Sequence, residues 1–305
     1  MSEQLCTVGD VELCYETFGE PDRPTVLLVM GLGTQMIAWH EDFCREVAGR
    51  GFHVVRYDNR DVGRSTRFDG VRPPGPVELL RRRPRQLAYT LRDMAGDGVG
   101  LLDRLGVERA HVVGASMGGM IAQAMAADRP ERVASLTSIM STTGSRLVGQ
   151  PAMAVYPILL RRPPADRQGY VDSVARVFDA IGSPGFERDL EALRELAGRS
   201  HDRGVSAAGT GRQLAAIVAS GNRTADLRRI QAPTLVIHGT KDRLIRPSGG
   251  RATARAIPGA RLMTIEGMGH DLPRGAWPRI VDGIVDNARR AEDPSAVPAT
   301  AAAAG

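Results

Sequence analysis

Gly114-Ala115-Ser116-Met117-Gly118 sets one serine between two glycines, directly behind the apolar run of residues 110–115. At a strand-to-helix corner a G-x-S-x-G sequence has a mechanical meaning. The tight turn lifts the hydroxyl above the sheet, and the glycines let neighbouring backbone pass without a Cβ clash. The helix N-terminus beneath presents unpaired N–H groups that favour developing negative charge. Ser116 is therefore a candidate nucleophile, and a glycine-rich corner that only packs is the competing reading. Serine is a poor nucleophile near neutral pH, so it needs a base, and the base needs an orienting acid. On such an elbow the partners follow in the chain order Ser, Asp or Glu, His.

Downstream, "PTLVIHGTKDRLIRP" places Asp242 just past one apolar run, and "RLMTIEGMGHDLP" places His270 just past the next. Each alone reads as a turn or surface residue. Together, in that order and each behind a strand, they make Ser116, His270 and Asp242 a nucleophile, base and acid. The segment "STTGS" after residues 133–140, the other place for an acid, carries no carboxylate. His40 and His53 precede the nucleophile, His111 and His238 fall inside strand runs where packing is expected, and His201 lies in a helical stretch. A tetrahedral intermediate also needs N–H donors. Met117, the residue after the nucleophile, supplies one. The loop after the third strand, "MGLGTQMIAWH", supplies the other: Gly31 and Gly33 let its amides turn inward, and Leu32 is the expected donor. This chemistry requires neither metal nor cofactor.

The elements that must hold these residues are legible as alternation. Apolar runs at residues 25–30, 53–58, 110–115, 133–140, 233–239 and 261–265 read as strands buried on both faces. "VELCYETF" alternates like a half-exposed strand, with Val11, Leu13 and Tyr15 on one side. Between the runs lie helical patterns: "EDFCREVAGRG", then "LAYTLRDMAGDGVGLLDRLG" with Leu87, Leu91, Met94, Val99, Leu102 and Leu105 at near-helical spacing, then "GGMIAQAMAADRP". Strand–helix–strand alternation predicts an α/β fold, a mostly parallel sheet covered by helices on both faces. The alternation breaks between about residues 141 and 226, where "GYVDSVARVFDAIG", "FERDLEALRELAGR" and "GRQLAAIVAS" are helix-like. The expected organisation is a core of residues 1–141 and 227–291, a helical cap of residues 142–226, and a disordered Pro/Ala-rich tail, 292–305.

With 305 residues, 42% of them hydrophobic, the chain can bury one large core or a core with an insertion. No stretch approaches the ~20 apolar residues that span a bilayer. "MSEQLCTVGD" lacks the basic start and apolar middle of a secretory signal, so a soluble, cytoplasmic protein is expected. Cys6, Cys14 and Cys44 form no C-x-x-C or Cys/His cluster, and metal binding is not expected of them. The net charge of +5 has one dense source, "ELLRRRPRQ", with Arg81, Arg82, Arg83 and Arg85. Without aromatic interleaving it reads as a solvated surface insertion rather than a nucleic-acid site; contact with anionic lipid is the remaining reading.

These residues, with "YDNRDVGRS" at 57–65, resemble the α/β-hydrolase superfamily over nearly the whole chain. More narrowly, "VMGLGTQMIAW", "RYDNRDVGRST", "VGASMGGMIAQ" and "PSGGRA" resemble actinobacterial lipase-G type esterases and the aclacinomycin methylesterases. Two positions depart from the broader pattern. Met30 stands where a histidine usually begins the oxyanion loop, and Asp61 stands where glycine is frequent. Serine at 116, rather than aspartate, separates the chain from the dehalogenase and epoxide-hydrolase branches. The resemblance implies an eight-stranded sheet and a cap whose apolar stretches, "MAVYPILL" and "VARVFDAIG", line an acyl or alkyl pocket. It also implies hydrolysis of a small-molecule ester, with a small to medium acyl or methyl group, through an acyl-enzyme. A thioesterase, a proline-iminopeptidase-like peptidase or a cofactor-free perhydrolase would use the same three residues. A hydrolase-fold protein that binds ligand with little turnover is the reading outside enzymes.

Overall fold

The computed structural model describes residues 2–81, 84–159 and 164–292. The apolar runs become β3 (Thr25–Val29), β4 (His53–Tyr57), β5 (Ala110–Ala115), β6 (Val133–Ile139), β7 (Thr234–Gly239) and β8 (Arg261–Ile265). With β1 (Gln4–Val8) and β2 (Val11–Phe18) they form one eight-stranded sheet in the order β1-β2-β4-β3-β5-β6-β7-β8. The β1–β2 and β2–β4 pairs are antiparallel and all later pairs parallel. Parallel neighbours need a crossover, and the chain supplies helices. These are α1 (Glu41–Ala48), α2 (Pro76–Arg81), α3 (Leu91–Arg104), α4 (Met117–Asp128), α5 (Tyr156–Leu159) and α6 (Arg167–Ile181), followed by α7 (Leu190–Arg203), α8 (Ala207–Ser220), α9 (Thr224–Leu227), α10 (Ser248–Ala256) and α11 (Trp277–Glu292).

Successive strand side chains point to opposite faces, and the core divides accordingly. Leu27, Val29, Val55 and Val112 join Leu91, Met94 and Leu101 of α3 and Ile121 and Met125 of α4 on one side. Val26, Leu28, Val54 and Val113 join Phe43 and Val47 of α1 and Ile280, Val281 and Ile284 of α11 on the other. A side chain of this size, fully buried, stabilises by roughly 1.5–3 kcal/mol. The sheet carrying the strand ends is therefore anchored by apolar packing on both faces.

Four expectations change. The run at 261–265, expected to be buried on both faces, forms the edge strand β8 with only Ile265 buried, because among the described residues no strand pairs beyond it. The alternating segment β2 is buried on both faces: Leu13 and Tyr15 belong to the core on one side, and Cys14 packs with Met36 and Ile37 on the other. There Glu16 pairs with the buried Arg56, and Cys14 lies beside Arg203 of α7. Leu87 precedes α3 and is exposed; the helix starts at Leu91, where Thr90 and Asp93 form a reciprocal capping box. The helix foreseen over "FERDLEALRELAGR" begins only at Leu190, because the Asp189 side chain accepts the Ala192 N–H at 2.9 Å and caps it there. Arg82 and Arg83 of the arginine cluster and residues 293–305 of the tail lie outside the described residues; Arg81 and Arg85 are exposed, and Glu292, expected to open the tail, closes α11. Among the described residues no helix is long and apolar enough to cross a membrane.

Helices α6, α7 and α8 lie between β6 and β7 in the chain and are tied to the strand-end loops by buried polar contacts. Arg203 of α7 donates to Asp58 at 2.8 Å and to Glu3 at 2.7 Å. Arg212 of α8 makes two bonds to the fully buried Asp61, at 2.8 and 2.6 Å. Arg223, just past α8, reaches the Thr142 carbonyl at 2.7 Å.

Candidate active site

Ser116 occupies the turn between β5 and α4 with φ of 55°, in the left-handed region. A non-glycine residue holds that conformation only where its surroundings impose it, and here they do. A Cβ on Gly118 would stand 2.0 Å from the Val29 carbonyl oxygen, and one on Gly114 2.1 Å from that of Gly118. The Ser116 N–H donates to the Ile139 carbonyl at 2.9 Å, and the Ser141 hydroxyl donates to the Ser116 carbonyl at 2.8 Å. Ser116 heads α4, yet its side chain makes no capping bond. Its hydroxyl faces His270 instead.

The Ser116 Oγ lies 3.0 Å from Nε2 of His270, and Nδ1 of His270 lies 2.8 Å from Oδ2 of Asp242. The other carboxylate oxygen of Asp242 accepts the N–H groups of Leu244 and Ile245 at 2.9 and 2.8 Å. An ionised Asp242 accepts Nδ1–H, which leaves Nε2 as the acceptor for the serine proton. The His270 N–H donates to the carbonyl of Ile181, the last residue of α6, at 2.7 Å. The glycine-rich turn around His270, "GMGHD", is thus packed, and His270 is buried.

His238, expected only to pack within its strand, does more. Its Nε2 lies 2.7 Å from the Ile245 carbonyl, which makes that nitrogen the N–H donor, and 3.4 Å from Oδ2 of Asp242. Burial alone would raise the pKa of Asp242; the facing His270 and His238 imidazoles outweigh it and hold the carboxyl down at about 2. The spacing of His238 four residues before Asp242 was the available signal, but strand periodicity points such a residue at the core without saying which loop folds back to it.

The remaining histidines do not reach the serine. His40 caps α1, His53 meets Thr25 Oγ1, His111 meets Ser135 Oγ, and His201 meets the Ala165 carbonyl. Cys6 is partly buried, while Cys14 and Cys44 are buried and desolvation pushes both thiols up to about 12.

Met117 is the first residue of α4, so its N–H has no intrahelical acceptor. Leu32 lies on the loop after β3, which runs beside the nucleophile: a Cβ on Gly31 would stand 3.2 Å from Ser116 Cβ and 3.7 Å from its Oγ. Among the described residues neither the Met117 nor the Leu32 N–H is given to another group. Met30 is buried and its carbonyl accepts from Asn59 at 2.9 Å.

Asp61 explains its own departure from glycine. Its φ is 73°, a left-handed conformation that aspartate adopts more readily than most residues. Its carboxylate is fully used, by Arg212, the Tyr89 hydroxyl at 2.5 Å and the Phe68 N–H at 3.0 Å. Burial alone would raise its pKa, but Arg212 and Tyr89 hold it below the usual carboxylate value.

A family model described as the alpha/beta hydrolase fold matches residues 24–273. Rhodomycin D methylesterase DauP of a Streptomyces species is 29% identical to this chain, covering 95% of it and 99% of that protein. The 3-oxoadipate enol-lactonase 2 of Acinetobacter baylyi is 27% identical over 85% of this chain and 87% of its own. Among solved structures, the enol-lactonase of Burkholderia xenovorans superposes with a TM-score of 0.68 at 26% identity, covering 93% of this chain and 99% of that one.

Proposed function

The chain belongs to the α/β-hydrolase fold family and is a carboxylic-ester hydrolase, and on that premise we propose that Ser116, His270 and Asp242 carry the reaction. The observation behind this reading is the unbroken line from hydroxyl to imidazole to carboxylate, at 3.0 and 2.8 Å. Ser116 Oγ attacks the ester carbonyl carbon while Nε2 of His270 takes its proton, and the Asp242 carboxylate stabilises the imidazolium. The oxyanion forms against the Met117 and Leu32 N–H groups. The alcohol leaves with the proton from His270. A water then gives its proton to the same nitrogen and attacks the acyl carbon; the Ser116–acyl bond breaks, Nε2 returns the proton to Oγ, and the acid is freed.

Methyl-ester and enol-lactone hydrolysis, named for the two relatives, both break an acyl–oxygen bond, which favours esters over thioesters and peptides here. The substrate is a small molecule with a small to medium acyl or methyl ester. In this reading residues 142–226 cap the strand ends of a core formed by residues 1–141 and 227–291. The test is a panel of p-nitrophenyl and methyl esters of increasing acyl length. Ser116→Ala lowers kcat/KM at least about 10⁴-fold; a purified protein equally active with alanine there overturns the assignment.

A further inference from the structure

We propose that Gln213 of α8 is a positioning residue for the oxyanion loop, so that an inserted helix sets the geometry of the donor at Leu32. This rests on the ester-hydrolase reading above. Gln213 is fully buried, and both ends of its amide are used. Its Oε1 accepts the Gly33 N–H at 2.8 Å, and its Nε2 donates to the Arg60 carbonyl at 2.8 Å. A donor at one end and an acceptor at the other fix the orientation of the amide.

Two consecutive peptide units of the loop are held, one by Gln213 and Thr34 together and the other by Thr34. The unit joining Leu32 to Gly33 is gripped at both poles: Gln213 takes its N–H, and Thr34 Oγ1 donates to its carbonyl at 3.1 Å. The unit joining Gly31 to Leu32 is held by its carbonyl, which accepts the Thr34 N–H at 3.2 Å. A trans peptide directs its N–H opposite its carbonyl, so the Leu32 N–H points away from Thr34 and is the one left free. One turn before Gln213, Thr210 packs on the same loop, with its Oγ1 2.7 Å from where a Cβ on Gly33 would stand. Helix α8 is itself pinned by Arg212 on Asp61. The amide of Gln213 thus engages Gly33 and leaves Leu32 for the substrate.

The test compares Gln213→Met and Thr34→Val with the parent enzyme, using a p-nitrophenyl ester and a trifluoromethyl ketone. The ketone adds the Ser116 oxygen and places a negative oxygen where the oxyanion forms. Removing an oxyanion donor outright costs ~10²–10³ in rate. A displaced donor costs less: Gln213→Met lowers kcat roughly 10–100-fold with KM within about twofold, and weakens the ketone by the same factor. Thr34→Val, which releases the other pole of the same peptide, gives a smaller parallel loss, about 3–10-fold, and carries the test if Gln213→Met does not fold. A folded variant whose KM alone changes, or whose kcat falls while the ketone binds as before, overturns the inference. Ser116→Ala is the control: if it spares activity and ketone binding, the site reading itself fails; if it abolishes both while the variants at 213 and 34 match the parent, only the role of Gln213 fails.

Discussion

Ser116, Asp242 and His270 are held by main chain, whereas α7 and α8 are held by guanidinium groups. In the first region the constraints are close backbone approaches at Gly114 and Gly118, a left-handed φ, and N–H groups from residues 244 and 245. In the second they are Arg203 on Asp58 and Arg212 on Asp61, contacts spanning 145 and 151 residues of chain. Backbone constraint fixes a reacting atom without adding a charge near it. A buried ion pair fixes a helix but obliges the fold to keep both partners, because a lone charge left behind is costly. On the proposed reading the strand-end region fails catalytically when altered, whereas loss of the Arg203 or Arg212 guanidinium costs stability.

That contrast predicts a series. Asp242→Asn keeps the shape at the strand ends but disturbs the imidazole, and lowers kcat by about 10⁴-fold with little change in melting temperature, read by ester kinetics beside calorimetry. Arg212→Met does the reverse. It strands the Asp61 carboxylate and costs about 3–5 kcal/mol by denaturant unfolding, while Asp61→Asn combined with it recovers part of the loss. Recovery in the double variant would sharpen the comparison; an equal or larger loss would break it.

Acid titration separates the regions more gently. Burial lowers the pKa of His111, on β5, to about 4. The unfolded chain takes up that proton first, so the stability His111 contributes is present above about pH 6.5 and is lost as pH falls toward about 4, at most ~3 kcal/mol. The Asp61 carboxyl, despite its burial, is held below its usual value by Arg212 and Tyr89. His111→Asn flattens the pH dependence of stability between those limits, measured by denaturant unfolding at a series of pH values.

The strand-end region was also the readable one. Ser116 announced itself through two glycines at fixed offsets, and the carboxylate and imidazole followed in chain order behind apolar runs, because a turn where an added Cβ would meet neighbouring backbone leaves a local mark. Strands β3 to β7 showed as buried runs, and β8 by its apolar residues alone, since it is a mostly exposed edge strand. β1 did not, since a five-residue edge strand with mostly exposed side chains has no apolar period to detect. Asp61 was visible only as a departure from glycine, and its partner was not: nothing local to Arg212 distinguishes it from the surface arginines of the helices around it. Gln213 was hidden likewise, since its acceptor and donor belong to loops far off in sequence. Pairings across 150 residues leave no periodic trace in one chain.

The most direct measurement is rapid acid quench of the enzyme with excess p-nitrophenyl ester, followed by peptide mass spectrometry. One acyl group is expected on the peptide containing Ser116, formed in a burst with p-nitrophenol and absent from Ser116→Ala. Ester turnover with the acyl group on another residue, or undiminished in the alanine variant, would contradict it.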